Sequence, residues 1–265
     1  MYLCAMKLFF RRMGEGPAIV ILHGLFGSSD NWATFGKQLA GLGFSVYLVD
    51  QRNHGKSLHS DVFDYYAMAD DLHELLEQEQ PDRPVILGHS MGGKTAMTFC
   101  RRYPGKAHGL VVVDIAPRYY KPHHIDIIDA LLHADPSSRS SRKEAEAMLG
   151  ERIADPSVVQ FLAKNLFWDE HQKLNWRFNL AAIQRNIEEV GAAIADSPPL
   201  SVPALFVRGE KSGYITQEDE VQITRMFPNS EIRTVPGAGH WVHADNPGYL
   251  LELLLGFLSG VAEGK

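Results

Sequence analysis

Pro84-Val85-Ile86-Leu87-Gly88-His89-Ser90-Met91-Gly92-Gly93 is the stretch from which the rest of the chain is read. Val85 to Leu87 is a short apolar run of the kind that forms a buried strand, and it ends abruptly at Gly88. From Met91 to Arg102 the composition turns helical, which puts Ser90 on a strand-to-helix turn. Gly88-His89-Ser90-Met91-Gly92 fits the G-x-S-x-G pattern of a nucleophile elbow. A turn that tight drives its central residue into a strained backbone conformation. Side chains two residues before or after it would collide with the facing strand or helix, hence the glycines. The following helix aims its N-terminal end at Ser90, where positive partial charge stabilises a developing oxyanion. Three fixed positions in five recur by chance. What separates this match from an ordinary Gly-rich turn is its context: strand before, helix after, and Gly93 for close packing.

Working outward, the chain alternates strand and helix. Leu8 to Arg12 and Ala18 to Leu22 read as a strand pair joined at Gly14-Glu15-Gly16-Pro17. The second strand runs into His23-Gly24-Leu25-Phe26-Gly27-Ser28-Ser29, whose glycines keep a loop slim beside a strand end. Asp30 is expected to cap a helix with Trp32, Phe35 and Leu39 on one face, stopping near Gly41 or Gly43. Phe44 to Val49 is the next buried strand, and Met68, Leu72, Leu75 and Leu76 then repeat at helical spacing before Pro81. Leu110 to Val113 is again a buried strand, with Asp114 at its C-terminal end. Solid apolar strands alternating with helices predict an α/β fold, a mostly parallel sheet covered on both faces. In such sheets function gathers beyond the C-terminal strand ends, the position shared by Ser90, Asp114 and the His23–Ser28 loop.

From about Arg118 to Ser197 the rhythm breaks. Helical patterns follow one another without a strand-like run: Ile125, Ile128, Leu131 and Leu132; Ala145, Met148 and Leu149; Phe161, Leu162 and Leu166; Leu180, Ile183 and Ile187. Pro198-Pro199 ends this part, and Ala204 to Val207 resumes the strand pattern. The expected organisation is one core domain from residues 1–117 and 198–265 with a helical cap at 118–197, which suits a chain of 265 residues.

Composition narrows the function classes. A formal net charge of -6 argues against a nucleic-acid binder, which ordinarily shows a basic patch. Cys4 and Cys100 stand in no metal or redox spacing and read as small core hydrophobes or idle thiols, which suits a reducing compartment. Met1 to Phe10 lacks a signal-peptide h-region, and no run approaches a membrane span, so a soluble cytoplasmic protein without stable membrane insertion is expected. His123-His124 and His243 form no metal-binding pattern; neither metal nor cofactor is expected.

The third reactive element lies near the end, in Pro236-Gly237-Ala238-Gly239-His240-Trp241. A lone histidine beside glycines is ordinarily a surface residue. Following a serine elbow at long range, in the order serine, acid, histidine, it becomes a candidate base. Serine is a poor nucleophile unless a base within hydrogen-bond reach takes its proton, and imidazole titrates near neutrality. A carboxylate must hold that ring in the right tautomer and stabilise its charged form. Asp114 is the candidate acid, with Glu210 and Asp219 as later alternatives.

His23-Gly24, Asp50-x-Arg52-x-His54-Gly55-x-Ser57, the Gly88–Gly93 stretch and Gly237-Ala238-Gly239-His240-Trp241 together resemble the α/β-hydrolase superfamily. Leu25-Phe26-Gly27-Ser28, Val113-Asp114-Ile115-Ala116-Pro117 and His240-Trp241-Val242-His243 are similar to one esterase group within it, that of the bacterial YbfF esterase and the abhydrolase-domain-containing protein 11 relatives. The resemblance implies a serine esterase or thioesterase with a helical cap, and an oxyanion hole made by the N–H groups of Leu25 and Met91. It also marks a departure. The superfamily most often carries its acid in the turn after the strand read here as Ala204 to Val207, where this chain has Gly209-Glu210-Lys211-Ser212-Gly213-Tyr214. Asp114 occupies the superfamily's alternative position.

The expected activity is hydrolysis of short- to medium-chain acyl esters or acyl thioesters, acyl-CoA included, through an acyl-Ser90 intermediate. Small acyl compounds are the expected partners. A carbon–carbon hydrolase, lyase or perhydrolase on the same triad is the alternative, and a catalytically silent binding protein is disfavoured by the intact Ser90, Asp114 and His240 set. Phe26, His89 and Trp241 are the candidate pocket residues, joined by the cap aromatics Tyr119, Tyr120, Phe167, Trp168, Trp176 and Phe178. His23, His54 and Arg52 are expected to brace their loops.

Overall fold

The computed structural model describes residues 7–122, 124–196 and 198–262; Cys4, His123 and Ser197 lie outside them. The first part alternates β1 (Phe10–Met13), β2 (Ala18–Leu22), α1 (Ala33–Gly41), β3 (Ser45–Val49), α2 (Tyr65–Glu79), β4 (Val85–His89), α3 (Met91–Arg102) and β5 (Gly109–Val113). An intervening segment holds α4 (Ile125–His133), α5 (Arg142–Gly150), α6 (Pro156–Ala163), β6 (Leu166–Trp168), β7 (Leu174–Trp176), α7 (Leu180–Arg185) and α8 (Ile187–Gly191). The chain then returns through β8 (Ala204–Gly209), α9 (Gln217–Met226), β9 (Ser230–Val235), α10 (Val242–Asp245) and α11 (Pro247–Ala262). Among the described residues no helix is long and apolar enough to cross a membrane.

The main sheet runs β1-β3-β2-β4-β5-β8-β9. All pairs are parallel except β1 against β3. Side chains alternate across a strand, and the two faces are separately packed. Val20, Leu22, Ile86, Leu110 and Val112 join Met68 and Leu72 of α2 and Met97 of α3 in one cluster. Ile19, Ile21, Leu87, Val111 and Val113 join Phe35 and Leu39 of α1 and Leu250 and Leu254 of α11 in the other. Burial on both faces is why the strands read as unbroken apolar runs.

Three expectations are corrected. β1 and β2 do not form a hairpin, because β3 lies between them and pairs Phe10 with Val49. β2 is apolar on both faces and takes neighbours on both sides, whereas β1 carries exposed Arg12 and suits an edge. Asp30 does not cap α1. A capping box of Ser28 and Asn31 starts a 3-10 turn (Ser29–Trp32) that leads into α1, and Asp30 pairs with Arg11 at 2.9 Å. The segment read as wholly helical contains the β6–β7 hairpin, turned at Asp169, whose Oδ1 accepts from the N–H groups of His171 and Lys173. Strands of three residues are too short to show a period.

Register sets up the site. His89 pairs with Val113, and Val113 with Val207, so Ser90 and Asp114 leave adjacent strands at the same level. The Ser90 N–H donates to Val113 O at 2.9 Å and the Asp114 N–H to Val207 O at 2.7 Å, extending the ladder past both residues. β2, which ends at the His23 loop, is the other neighbour of β4. The elbow glycines are sterically enforced. A Cβ on Gly88 would sit 2.1 Å from Gly92 O, and one on Gly92 would sit 2.4 Å from Leu22 O. Gly41 meets nothing within 4 Å. Gly88→Ala is therefore expected to lose about 3 kcal/mol or more in urea unfolding, and Gly41→Ala to change stability by less than about 1 kcal/mol. Equal midpoints for the two variants would contradict this account of the elbow.

Candidate active site

Ser90 has φ 52° and ψ -118°, a conformation that costs roughly 1–3 kcal/mol in a non-glycine residue and persists only where surroundings enforce it. Its carbonyl accepts from the N–H groups of Gly93 and Lys94 and so opens α3. Gly24 faces the elbow from the β2 side; a Cβ there would sit 3.0 Å from His89 Nδ1 and 3.3 Å from Ser90 Cβ.

Asp114 is fully buried and also has a positive φ, 55°. A buried carboxylate needs donors, and this one has three. Its Oδ1 accepts from the Gly209 N–H at 3.0 Å; its Oδ2 accepts from Ser212 Oγ at 2.5 Å and from His240 Nδ1 at 2.8 Å. Binding through Nδ1 fixes the His240 tautomer and leaves Nε2 for other work. The His240 ring lies flat on Tyr214, with centroids 3.9 Å apart and planes at 19°. The His240 carbonyl accepts from His89 Nε2 at 2.8 Å. Glu210 instead accepts from the Gly237 N–H at 2.8 Å, and Asp219 sits in the capping box of α9 with Arg118 at 2.8 Å. The structure brings His240 to Asp114 and gives both other carboxylates separate partners.

Ser90 and His240 line one cavity of about 80 Å³, walled also by Phe26, His89, Trp241 and Phe161. Ser90 also borders a second cavity of about 30 Å³, with Met91, Ile115, Tyr65 and Tyr214. Leu25 lines both. All three pocket residues read from the sequence thus face Ser90's larger cavity. The cap aromatics divide differently. Tyr120 borders the small cavity, Trp176 and Phe178 pack behind Phe26, and Tyr119 and Trp168 are exposed. Phe167 lies against the Arg177 guanidinium. Sequence reasoning gave Trp32, Phe161, Ser212 and Tyr214 no place in the site. Ser212 and Tyr214 both stand in the turn where the superfamily's usual acid sits, but neither residue type there marks it as part of the site.

The Leu25 loop is held from below by histidines that the geometry keeps neutral. His54 Nε2 accepts from the Phe26 N–H at 3.1 Å, so its Nδ1–H donates to Arg52 O at 2.9 Å. His23 Nε2 accepts from the Gln51 N–H at 3.0 Å, so its Nδ1–H donates to Gly24 O at 2.8 Å. Burial is the main cause of their depressed values, about 4 for His23 and about 3 for His54. Burial also drives His89 well below the usual range and His243, stacked on Trp32, down to about 3. Arg52 makes a paired contact with Asp71 and bonds Val62 O and Ala67 O, a bracing role. Cys100 is a buried free thiol. Among the described residues no group of three or more His, Cys, Asp or Glu is placed to hold a metal ion.

Comparison with known proteins places this arrangement. The model of the alpha/beta hydrolase fold family matches residues 17–148. The sn-1-specific diacylglycerol lipase ABHD11 of Danio rerio is 37% identical over 94% of this chain and 80% of its own length. The chain belongs to the α/β-hydrolase family. Esterase YbfF of Escherichia coli is 34% identical over 91% of this chain and 92% of its own. The solved structure of a marine microorganism esterase, 43% identical, superposes with a TM-score of 0.92 over 95% of this chain and 99% of its own.

In this α/β-hydrolase the buried histidines make stability depend on pH. Their folded pKa values lie below the unfolded value of 6.5, so their contribution is whole above about 6.5 and lost as pH falls towards about 4 for His23 and about 3 for His54 and His243. Each can contribute up to about 1.4 kcal/mol per pH unit within its window. Urea midpoints are expected to fall steadily from pH 7 to pH 4.5, with the His23 and His54 rings still neutral by NMR at pH 5. A flat stability profile over that range would contradict the burial argument.

Proposed function

We propose that this chain is a serine esterase that cleaves small acyl esters, or acyl thioesters, through an acyl-Ser90 intermediate. The observation that carries the reading is the His240 Nδ1 to Asp114 contact at 2.8 Å, with Ser90 on its strained turn in the cavity His240 lines. Ester hydrolysis is also what its named esterase and lipase relatives share.

In this reading His240 Nε2 takes the Ser90 hydroxyl proton as Oγ attacks the acyl carbon. The imidazolium formed is stabilised by the Asp114 carboxylate, which stays ionised. The negative oxygen of the tetrahedral intermediate is held by the N–H groups of Leu25 and Met91, the latter at the start of α3 where no helical partner competes. Collapse expels the alcohol or thiol, which takes the proton from His240, and water then repeats the sequence on the acyl-serine. A leaving group protonated by His240 must lie beside that ring, in the larger cavity with Phe26 and Trp241. The acyl group then takes the smaller cavity beside Met91, which favours short chains.

Ser90→Ala is expected to cut turnover of p-nitrophenyl acetate and butyrate by about 10³-fold or more and to abolish labelling by a fluorophosphonate. Asp114→Asn should lower kcat by roughly 10⁴-fold, while Glu210→Gln and Asp219→Asn stay within about threefold, since their carboxylates serve other partners. A near-normal Asp114→Asn beside a crippled Glu210→Gln or Asp219→Asn would overturn the acid assignment. A Ser90→Ala variant with more than a tenth of wild-type turnover would remove Ser90 as nucleophile.

A further inference from the structure

Lys94 lies one turn along α3 from Ser90, and it is 1% exposed. Its ammonium reaches three main-chain carbonyls: Arg118 O at 2.8 Å, Gly191 O at 3.3 Å and Ala192 O. The Tyr120 and Tyr65 rings flank Nζ at 4.9 and 5.8 Å. Burial, helped by the Arg118 guanidinium, lowers its pKa to about 7. A methionine would fill the same space without that desolvation cost, so hydrogen bonding is what a lysine adds here.

The carbonyls it holds belong to two separate segments, one leaving β5 and one at the end of α8 on the way back to β8. These segments also bond each other, Tyr120 N–H to Gly191 O at 2.9 Å and Ile194 N–H to Pro117 O at 2.8 Å. They are in backbone contact, since a Cβ on Gly191 would sit 2.0 Å from Tyr120 O. Tyr65 of α2 adds a fourth tie through its hydroxyl, which donates to Val190 O at 2.6 Å. Tyr120, Pro122, Val190 and Gly191 from these segments wall the smaller cavity beside Ser90. The same three carbonyl bonds therefore fix both the joints of the intervening segment and the far wall of that cavity.

We propose that Lys94 is a specificity-determining positioning residue: by clamping both joints to the nucleophile helix, it holds the smaller cavity at a size that admits only short acyl groups. This rests on the esterase reading above and on the acyl group taking that cavity.

The test compares kcat and KM for p-nitrophenyl acetate and hexanoate in the full chain, with Lys94→Met and Tyr65→Phe as variants. Wild type should favour acetate. Lys94→Met should raise the hexanoate-to-acetate ratio of kcat/KM by about tenfold or more, the scale on which a pocket discriminates added methylenes, chiefly through a lower hexanoate KM. Tyr65→Phe removes a single tie and should shift the ratio the same way by a smaller factor, which keeps the proposal open to refutation should Lys94→Met not fold. An unchanged ratio in a folded Lys94→Met, or proportional loss of both activities, overturns the clamp and leaves the esterase reading intact. So does an unchanged ratio in Tyr65→Phe where Lys94→Met does not fold. A wild type that turns over neither ester overturns the esterase reading and this inference with it.

Discussion

A carboxylate taken wholly out of water has to be met by donors, and Asp114 meets that demand from three places at once. The Gly209 N–H comes from the end of β8, the Ser212 hydroxyl from the turn after it, and the His240 Nδ1–H from the loop after β9. Each donor secures its own segment as it satisfies the acid. Ser212 Oγ, bonded to the acid, also accepts from the Tyr214 N–H at 3.2 Å, which steadies the ring that covers His240. Tyr120 donates its hydroxyl to Tyr214 O, so the covering ring is tied to the joint region as well. One buried charge thus coordinates the C-terminal ends of two strands and the histidine loop.

The opposite side of the elbow is organised around two neutral histidines. His23 and His54 each accept one backbone N–H and donate to one backbone oxygen, which makes them fixed spacers between the loops after β2 and β3. Asp50 joins the same loops, accepting from the Ser29 N–H at 2.6 Å and the Lys56 N–H at 2.8 Å. The intervening segment reaches this assembly through amides. Asn165 Nδ2 donates to Phe26 O at 2.8 Å, and the Asn179 N–H donates to Asn53 O at 2.8 Å. Rigidity below Ser90 and contact from above meet at Phe26, whose φ of 58° shows how tightly that loop is constrained.

What could be read from the sequence follows from which features have a local signature. Strands buried on two faces leave solid apolar runs, so β2, β3, β4, β5 and β8 were legible, as was the elbow between β4 and α3. Pairing partners have no such signature. β1 and β2 adjoin in sequence, and only the sheet shows β3 between them. The order serine, acid, histidine pointed to His240, and the absence of an aspartate from the Gly209–Tyr214 turn pointed to Asp114, but that Asp114 leaves its strand level with Ser90 is visible only in the register of β4, β5 and β8. Ser212 and Lys94 stayed hidden for opposite reasons. A serine in a turn is unremarkable until its hydroxyl is seen on a carboxylate. A lysine reads as exposed until the chain is folded around it. The small hairpin escaped because strands of three residues are too short to show an alternation.

The contact between Tyr120 and Gly191 has a consequence for how this architecture varies. A segment that departs and returns through neighbouring backbone imposes no span on what lies between, and closing a longer loop costs only about 0.6 kcal/mol for each doubling of its length. The joint itself therefore sets no length for the chain between its two sides, and a change of length there need not move a strand. Length can thus be accommodated between Tyr120 and Gly191 while Ser90 and Asp114 keep their places at the ends of neighbouring strands.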